Sequence, residues 1–201
     1  MSNDYNEILQ PTKVWSRSEI LSRECPVPRK PGVYAWYFRE FPPEIQIPTD
    51  GCITYGELSL LYVGIAPKAP PRNARPPNRR TLYDRIRDHM RGNAEGSTLR
   101  LSLGCLLSES LGIELRRVGR NGKSMTFAEG EQMLSEWMAH NAFVVWIVTA
   151  EPWKLEEELI RTLSLPLNLN KNKSHAFCPI LSAKRKNAKA KAQDLPVVHA
   201  T

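Results

Sequence analysis

The chain has 201 residues, of which 41% are hydrophobic and 24% are charged, and its formal net charge is +7. This length fits one well-packed domain with some decoration, and the composition is typical of a folded protein rather than a disordered one. No stretch reaches the roughly 20 apolar residues that a membrane span requires, and no N-terminal run resembles a signal peptide. We therefore expect a cytoplasmic protein with no membrane partner.

The cysteines exclude two further classes of site. The four of them are far apart and form no Cys-x-x-Cys pair: Cys25, Cys52, Cys105 and Cys178. This spacing argues against a zinc knuckle or a redox pair and predicts free thiols in a reducing compartment.

The positive charge is concentrated in two polar segments that contain no acid. Residues 67–80 carry Lys68, Arg72, Arg75, Arg79 and Arg80, and residues 183–193 carry Lys184, Arg185, Lys186, Lys189 and Lys191. Such segments suit a polyanion, because each phosphate contact releases condensed counterions. A solvated tail without a partner has the same composition, so charge alone leaves both interpretations open.

The first half of the chain predicts an arm, two strands and a helix. Residues 1–30 form the arm, with a short helix that starts at a capping box of Ser16 and Glu19. The β-branched and aromatic segment 33–38 predicts one strand, and residues 58–63 predict a second after a proline-containing excursion at 39–57. Thr81 then caps a helix that ends at Gly92.

The second half predicts further helices around a central strand. Ser97 caps a helix to about residue 110, residues 113–118 are compatible with a strand, and Thr126 with Glu129 predicts a capping box before a helix that ends near His140. The apolar run 143–149 predicts the central strand, and Pro152 begins a helix that runs to about residue 163. Three strands with interspersed helices indicate an α+β domain rather than a doubly wound sheet.

Glu156 is the most informative residue of that last helix. At 100° per residue it falls near the centre of an apolar face, whereas Glu157 and Glu158 point away. An unpaired ion there would cost several kcal/mol, so the carboxylate must meet a cation, a metal ion or the floor of a solvent-filled cleft. A structural pair with an arginine and a functional site fit this pattern equally well.

Arg85 and His89 are a second candidate pair, on the helix that Thr81 caps. Their i, i+4 spacing places both on one flank of the stripe formed by Leu82, Ile86 and Met90, so their side chains converge at the edge of the core. A surface salt-bridge face would have the same spacing, since acidic residues lie next to them.

Five motifs occur in a characteristic order. They are PGVY at 31–34, LYVG at 61–64, LYDRI with the following histidine at 82–89, LEEELI at 155–160, and PLN at 166–168. Together they resemble the GIY-YIG nuclease family, with valine in place of isoleucine in both tyrosine motifs. The resemblance implies a small central three-stranded antiparallel sheet flanked by helices. It also implies a site made of Tyr34, Tyr62, Arg85, His89, Glu156 and Asn168.

The resemblance covers residues 31–170, which we take as the domain. It departs from the compact family core at 39–57, 67–80 and 93–140, where residues are inserted, and a basic tail follows at 171–201. Tyr34 and Tyr62 are 28 residues apart, whereas many members have a much shorter connection. These insertions remove any basis for inferring the substrate from better-known members.

The resemblance also implies a mechanism in which water attacks a phosphodiester, and we expect DNA to be the substrate. Glu156 would bind Mg²⁺ or Mn²⁺, because hard ions prefer carboxylate oxygen, and Arg85 would bracket the phosphoryl oxygens. Tyr34, Tyr62 and His89 remain alternative general bases, since a phenol with a pKa near 10 needs a nearby cation. Asn168 would fix local backbone, and Gly32 and Gly64 would allow close packing beside the tyrosines.

Nucleic-acid binding is assigned to the basic segments. The residues concerned are Arg72, Arg75, Arg79, Arg80, Lys184, Arg185 and Lys186. A catalytically silent domain of the same family and an RNA-directed nuclease are the two rival interpretations, because basic segments do not distinguish a 2′-hydroxyl. The sequence leaves the oligomeric state open.

Overall fold

The computed structural model describes residues 6–70 and 79–198. Arg72 and Arg75, two of the predicted nucleic-acid contacts, lie outside these ranges. Within them, no helix combines the length and the apolar character needed to cross a membrane. The four cysteines are free thiols, as the sequence predicts.

An antiparallel sheet forms the centre of the fold. Its strands are β1 (Gly32–Phe38), β2 (Thr54–Tyr55), β3 (Leu58–Ala66) and β6 (Ala142–Val148), in the order β2-β3-β1-β6. The α+β class is confirmed, but the predicted number of three strands is wrong. Gly56, at φ +56°, reverses the chain after Tyr55, so the end of the excursion pairs with β3 as a short edge strand.

Helices pack on both faces of this sheet. They are α1 (Asn6–Leu9), α2 (Arg17–Leu21), α3 (Leu82–Arg91), α4 (Thr98–Leu106), α5 (Gly130–Asn141), α6 (Pro152–Thr162) and α7 (Phe177–Asp194). Strands β4 (Arg116–Val118) and β5 (Ser124–Thr126) form a separate hairpin.

Alternation along β1 divides the core into two clusters. Tyr34, Trp36 and Phe38 pack with buried side chains of α3, α4, α5 and α7, whereas Val33 and Ala35 pack with side chains of α1 and α6. Tyr34 therefore lies on the face covered by α3. On β3, Tyr62 is opposite Trp36 and packs against the same cluster.

One of the two predicted capping boxes is present, and Asp84 completes a further box at the predicted cap Thr81. The Ser16 N–H donates to Glu19 (2.9 Å), and the Thr81 N–H donates to Asp84 (2.8 Å). The other predicted box is wrong: the Thr126 hydroxyl accepts from Ala128 N–H at the end of β5, and α5 begins at Gly130. A local side-chain turn has competed with the helix start there.

Two other boundaries differ from the prediction. The helix capped by Ser97 ends at Leu106 rather than near residue 110, and the strand predicted at 113–118 is formed only by Arg116–Val118. Frayed ends of this kind are the least determined part of a sequence pattern.

The basic segment near the C-terminus is helical, which the sequence analysis did not predict. It forms the second half of α7, whose buried side is built largely from small residues and therefore gives a weak apolar pattern. Arg117 donates to the carbonyls of Ala192 (3.1 Å) and Leu195 (2.8 Å), and Val198 pairs with β4. Hydrogen bonds to the β4–β5 hairpin therefore hold the end of α7.

Candidate functional site

A buried hydrogen-bonded chain connects β1, α3 and the start of α4. The Tyr34 hydroxyl lies 2.8 Å from His89 Nε2, and His89 Nδ1 lies 2.6 Å from Ser97 Oγ. Tyr34 is 1% exposed, and His89 and Ser97 are fully buried. We call these three residues the buried relay. The cap at Thr81 sets where α3 begins, which fixes the depth at which His89 meets the sheet.

His89 is a neutral imidazole at neutral pH. Burial is the main reason that its pKa lies well below the usual value, and the charge of Arg85 acts in the same direction. A neutral ring has one nitrogen that accepts and one that donates. The ring can therefore serve Tyr34 and Ser97 at the same time.

Both tyrosines have pKa values above the ordinary range. For Tyr34, burial is the main cause and the neighbouring Tyr62 adds to it, while the charge and hydrogen bond of Arg85 act in the opposite direction. For Tyr62, burial again dominates and a hydrogen bond with Thr98 opposes it. Of the two phenols, that of Tyr34 is the one within hydrogen-bond distance of an imidazole nitrogen.

Arg85 lies between the buried relay and solvent. Its side chain is 16% exposed, and Nη1 donates to the carbonyl of Gly96 (3.0 Å). Asp88 lies 3.9 Å from Arg85 but also contacts Arg80 closely. Since Arg80 supplies the nearer charge to Asp88, the guanidinium of Arg85 is only weakly neutralised by that carboxylate.

Glu156 lies on α6 at the edge of the same region. Its side chain is 17% exposed, whereas that of Glu157 is 70% exposed, in agreement with the helical periodicity. Burial raises the pKa of the Glu156 carboxyl, and the charge of Lys171 opposes this shift. The cation that Glu156 meets is a lysine, with Nζ at 3.6 Å, and not the arginine that a structural pair would favour.

We call Glu156, Glu157 and Lys171 the acidic edge. No group of three or more His, Cys, Asp or Glu residues suited to a metal ion occurs in the described part of the chain. A single carboxylate nevertheless fits a hard divalent ion, because water and phosphate oxygens can complete its shell. The Glu156 side chain is partly exposed, and its ion pair with Lys171 is long, at 3.6 Å.

Asn168 fixes the strand that carries Tyr62. Its Oδ1 accepts from Val63 N–H (2.9 Å), and its Nδ2 donates to Val63 O (2.9 Å). The neighbouring Asn172 donates to the carbonyls of Leu165 (2.8 Å) and Asn168 (3.1 Å). Asn168 thus binds the main chain directly beside Tyr62.

Gly32 and Gly64 permit close approach at the two tyrosine motifs. A Cβ on Gly64 would come within 2.6 Å of the Tyr34 ring, and one on Gly32 would collide with the Ile147 carbonyl. Any larger residue at Gly64 would therefore displace the phenol from His89.

Sequence reasoning missed the ion pair beneath the buried relay. Arg100 is fully buried on α4, donates twice to the Glu131 carboxylate (2.7 and 3.0 Å), and reaches the His89 carbonyl (3.2 Å). Glu131 also accepts from the Ala94 and Phe127 N–H groups. Ser97 was predicted as a cap, but nothing in the pattern pointed to its bond with His89.

The basic residues on α7 occupy different environments. Lys184 and Lys186 are exposed, whereas Arg185 is partly buried, and its charge acts on Tyr62. Near the loop after β3, Arg79 is exposed and Arg80 pairs with Asp88. Arg185 is therefore the basic residue of α7 that adjoins the site.

Other charged and metal-type residues have structural roles. Arg116 and Arg117, which the sequence could not place, bind carbonyls of the C-terminal segment. His175 contacts Ser164 and accepts from Phe177 N–H, and Cys178 is a buried thiol.

A comparison with protein-family models identifies the family of this chain. The family model described as the GIY-YIG catalytic domain matches residues 32–187. No curated protein and no solved structure gives a match. The family match spans all six residues of the predicted site and the first half of α7. It covers most of the chain, so this protein belongs to the GIY-YIG nuclease family.

Proposed function

We propose that the protein is an endonuclease that hydrolyses DNA phosphodiester bonds with an activated water and a divalent metal ion. The observation that carries the proposal is the hydrogen bond between the Tyr34 hydroxyl and His89, with Arg85 acting on the same phenol. A phenol in this setting has a proton acceptor on one side and a cation on the other. Because burial holds the pKa of Tyr34 above its ordinary value, the phenol stays protonated and acts by passing its own proton to His89 as it takes one from the water.

Tyr34 serves as the general base in this mechanism. As the water oxygen bonds to phosphorus, a water proton passes to the Tyr34 oxygen and the phenolic proton passes to His89 Nε2. The bond to the 3′ oxygen breaks, and that oxygen leaves with the electron pair. This assignment requires the tautomer in which His89 Nδ1–H donates to Ser97 Oγ, and it fits both distances.

Arg85 stabilises the charge that develops on the phosphoryl group. Its guanidinium is permanently charged and only weakly neutralised by Asp88, so it can bracket two phosphoryl oxygens. Tyr62 and Arg185 line the same region and would orient the phosphate.

Glu156 would hold the divalent ion, Mg²⁺ or Mn²⁺. When bound, such an ion supplies Lewis-acid stabilisation of the leaving oxygen. The charge of Glu156 raises the pKa of both Tyr34 and Tyr62, which supports this assignment.

DNA is the proposed substrate. The exposed Lys184 and Lys186 on α7 would contact DNA phosphates, and Arg79 with the arginines at 72 and 75 would do so on the other basic segment. These contacts do not select DNA over RNA.

A cleavage assay tests the proposal. Purified protein is incubated with supercoiled plasmid, linear duplex, branched and single-stranded DNA, and RNA, each with Mg²⁺ or Mn²⁺. The variants are Glu156→Gln and Arg85→Gln, with Glu158→Gln and Arg91→Gln as matched controls, because these two side chains lie exposed on the same helices. We expect the first two to lose about 10²-fold or more in rate and the controls to stay near wild type.

Three results would contradict the proposal. Wild-type protein that cleaves no substrate favours a silent binding domain, and cleavage of RNA alone makes the substrate assignment wrong. Equal activity in wild type and Glu156→Gln would remove Glu156 from the site.

A further inference from the structure

Lys171 occupies an unusual position between two carboxylates. Its Nζ lies 3.6 Å from Glu156 Oε2 and 3.4 Å from Glu157 Oε2, and its side chain is 43% exposed. The sequence analysis did not single it out. It follows Asn168 by three residues, in the loop between α6 and α7.

The backbone at Lys171 is held in place by the fold. Its φ is +62°, a left-handed conformation that residues with a Cβ rarely adopt. Such a conformation persists only when the surroundings determine it. Here Asn168 clamps the start of the loop to Val63, Asn172 clamps its end to Leu165, and Leu167 N–H donates to Leu61 O.

The fixed backbone contrasts with the mobile character of a lysine side chain. The ammonium group is a compact charge on a flexible stem, and here it is partly exposed. A divalent ion at Glu156 would repel an ammonium only a few ångströms away, because like charges so close disfavour each other. The two cations would therefore compete for the same carboxylate.

We propose that Lys171 is the counter-ion of Glu156 in the metal-free protein, and that it moves to a phosphate oxygen of the substrate when the divalent ion binds. This inference rests on the proposed function. Lys171 would then couple metal binding to DNA binding. The metal ion takes Glu156 away from Lys171 and frees the ammonium for a phosphate, and the phosphate takes Lys171 away from Glu156 and frees the carboxylate for the metal ion. The anchored loop keeps the ammonium within reach of both places.

Helix α6, which carries Glu156, provides a matched control. Lys154 pairs with Glu151 at 2.7 Å, with both side chains more than half exposed. It is a surface ion pair that the proposed site does not include. Substituting Lys154 changes the net charge as much as substituting Lys171 does.

The first experiment measures Mn²⁺ binding without DNA, by the electron paramagnetic resonance signal of free Mn²⁺. Wild type is compared with Glu156→Gln, Lys171→Met and Lys154→Met. Glu156→Gln should lose binding, and Lys154→Met should match wild type. Lys171→Met should bind Mn²⁺ about two- to fivefold more tightly, because the ion pair that it removes is partly exposed and therefore modest.

Each outcome separates the inference from the function on which it rests. If Glu156→Gln binds Mn²⁺ as wild type does, the metal assignment fails and the inference with it. If only Glu156→Gln changes, the metal site stands and the competition by Lys171 is overturned.

The second experiment measures the coupling itself. Binding of a fluorescein-labelled DNA duplex is followed by anisotropy in a Tyr34→Phe background that does not cleave, with and without Mn²⁺. Adding Lys171→Met should weaken DNA binding several-fold with Mn²⁺ and leave it unchanged without. An equal loss under both conditions would overturn the coupling, because it would show a simple surface contact with DNA.

Discussion

The buried relay and the acidic edge are built in opposite ways. Tyr34, His89 and Ser97 are almost completely buried and joined by short hydrogen bonds. At the acidic edge, the side chain of Glu157 is largely solvent-exposed, and those of Lys171 and Glu156 are partly exposed. Folding fixes the geometry of the relay before any ligand arrives. The acidic edge is held by ion pairs that a metal ion or a phosphate can replace.

This difference separates stability from ligand binding. A buried polar group that loses its partner keeps the full cost of its burial, so changes near the relay should destabilise the fold. Partly exposed ion pairs contribute little to folding, so changes at the acidic edge should affect ligands alone. The predictions below test that separation.

The largest expected effect comes from Arg100, which supports the relay from below. Arg100→Met removes two hydrogen bonds to the Glu131 carboxylate and one to the His89 carbonyl. Breaking a buried ion pair on one side typically costs about 3–5 kcal/mol. We expect the free energy of unfolding to fall by that amount, measured by urea denaturation followed by tryptophan fluorescence.

Glu156→Gln is the comparison at the acidic edge. It should change the free energy of unfolding by about 0.5 kcal/mol or less, since its ion pair is long and partly exposed. A similar loss in both variants would contradict the separation of the two regions.

The same contrast explains what the sequence could predict. Glu156 was found because helical periodicity places it on an apolar face, and the cap at Thr81 located α3. Periodicity describes one element at a time. It therefore could not find the Arg100–Glu131 pair, whose members lie on different helices 31 residues apart in sequence.

Two other elements could not be predicted from the sequence pattern, for related reasons. The basic second half of α7 buries only alanines and is held by carbonyl contacts from Arg117, so its hydrophobic pattern is weak. The β2 strand has only two residues and depends on a turn at Gly56. Local sequence specifies long amphipathic elements well, and it specifies short or backbone-anchored elements poorly.

The second effect is a pH dependence that arises in the buried relay. Burial lowers the pKa of His89, so below about pH 6.5 the unfolded chain takes up a proton there while the folded protein does not. The free energy of unfolding should therefore decrease as pH falls from 7.5 to 5.5. The single-site limit is about 1.4 kcal/mol per pH unit.

The groups around His89 support this direction. In the described part of the chain, the titratable and charged groups that surround it or act on its charge are phenols or cations: Tyr34, Tyr62, Arg80, Arg85 and Arg100. His89→Gln should reduce the pH slope, measured as the change in Tm between pH 7.5 and 5.5. Glu19, whose pKa is lowered to about 2, changes the stability at more acidic pH. His175 contributes equally to wild type and His89→Gln, so its contribution cancels in the comparison. An identical slope in both proteins would contradict this prediction, because it would show that His89 takes up a proton as readily in the folded protein as in the unfolded chain.

The smallest effect concerns the exposed lysines of α7. Like the acidic edge, they should affect ligand binding and leave the stability of the fold unchanged. Deleting the basic segment would remove buried Ala192 and the carbonyls that Arg117 binds, so point substitutions are the sharper test. Lys184→Gln with Lys186→Gln should leave Tm unchanged, because both side chains are exposed. If each lysine contacts one phosphate, the slope of log Kd against log salt should decrease by about 1.8 for duplex DNA. Arg185→Gln should reduce the cleavage rate in addition to DNA binding, since the charge of Arg185 acts on Tyr62. A salt slope that stays at the wild-type value in the double variant would mean that this face of α7 does not contact DNA.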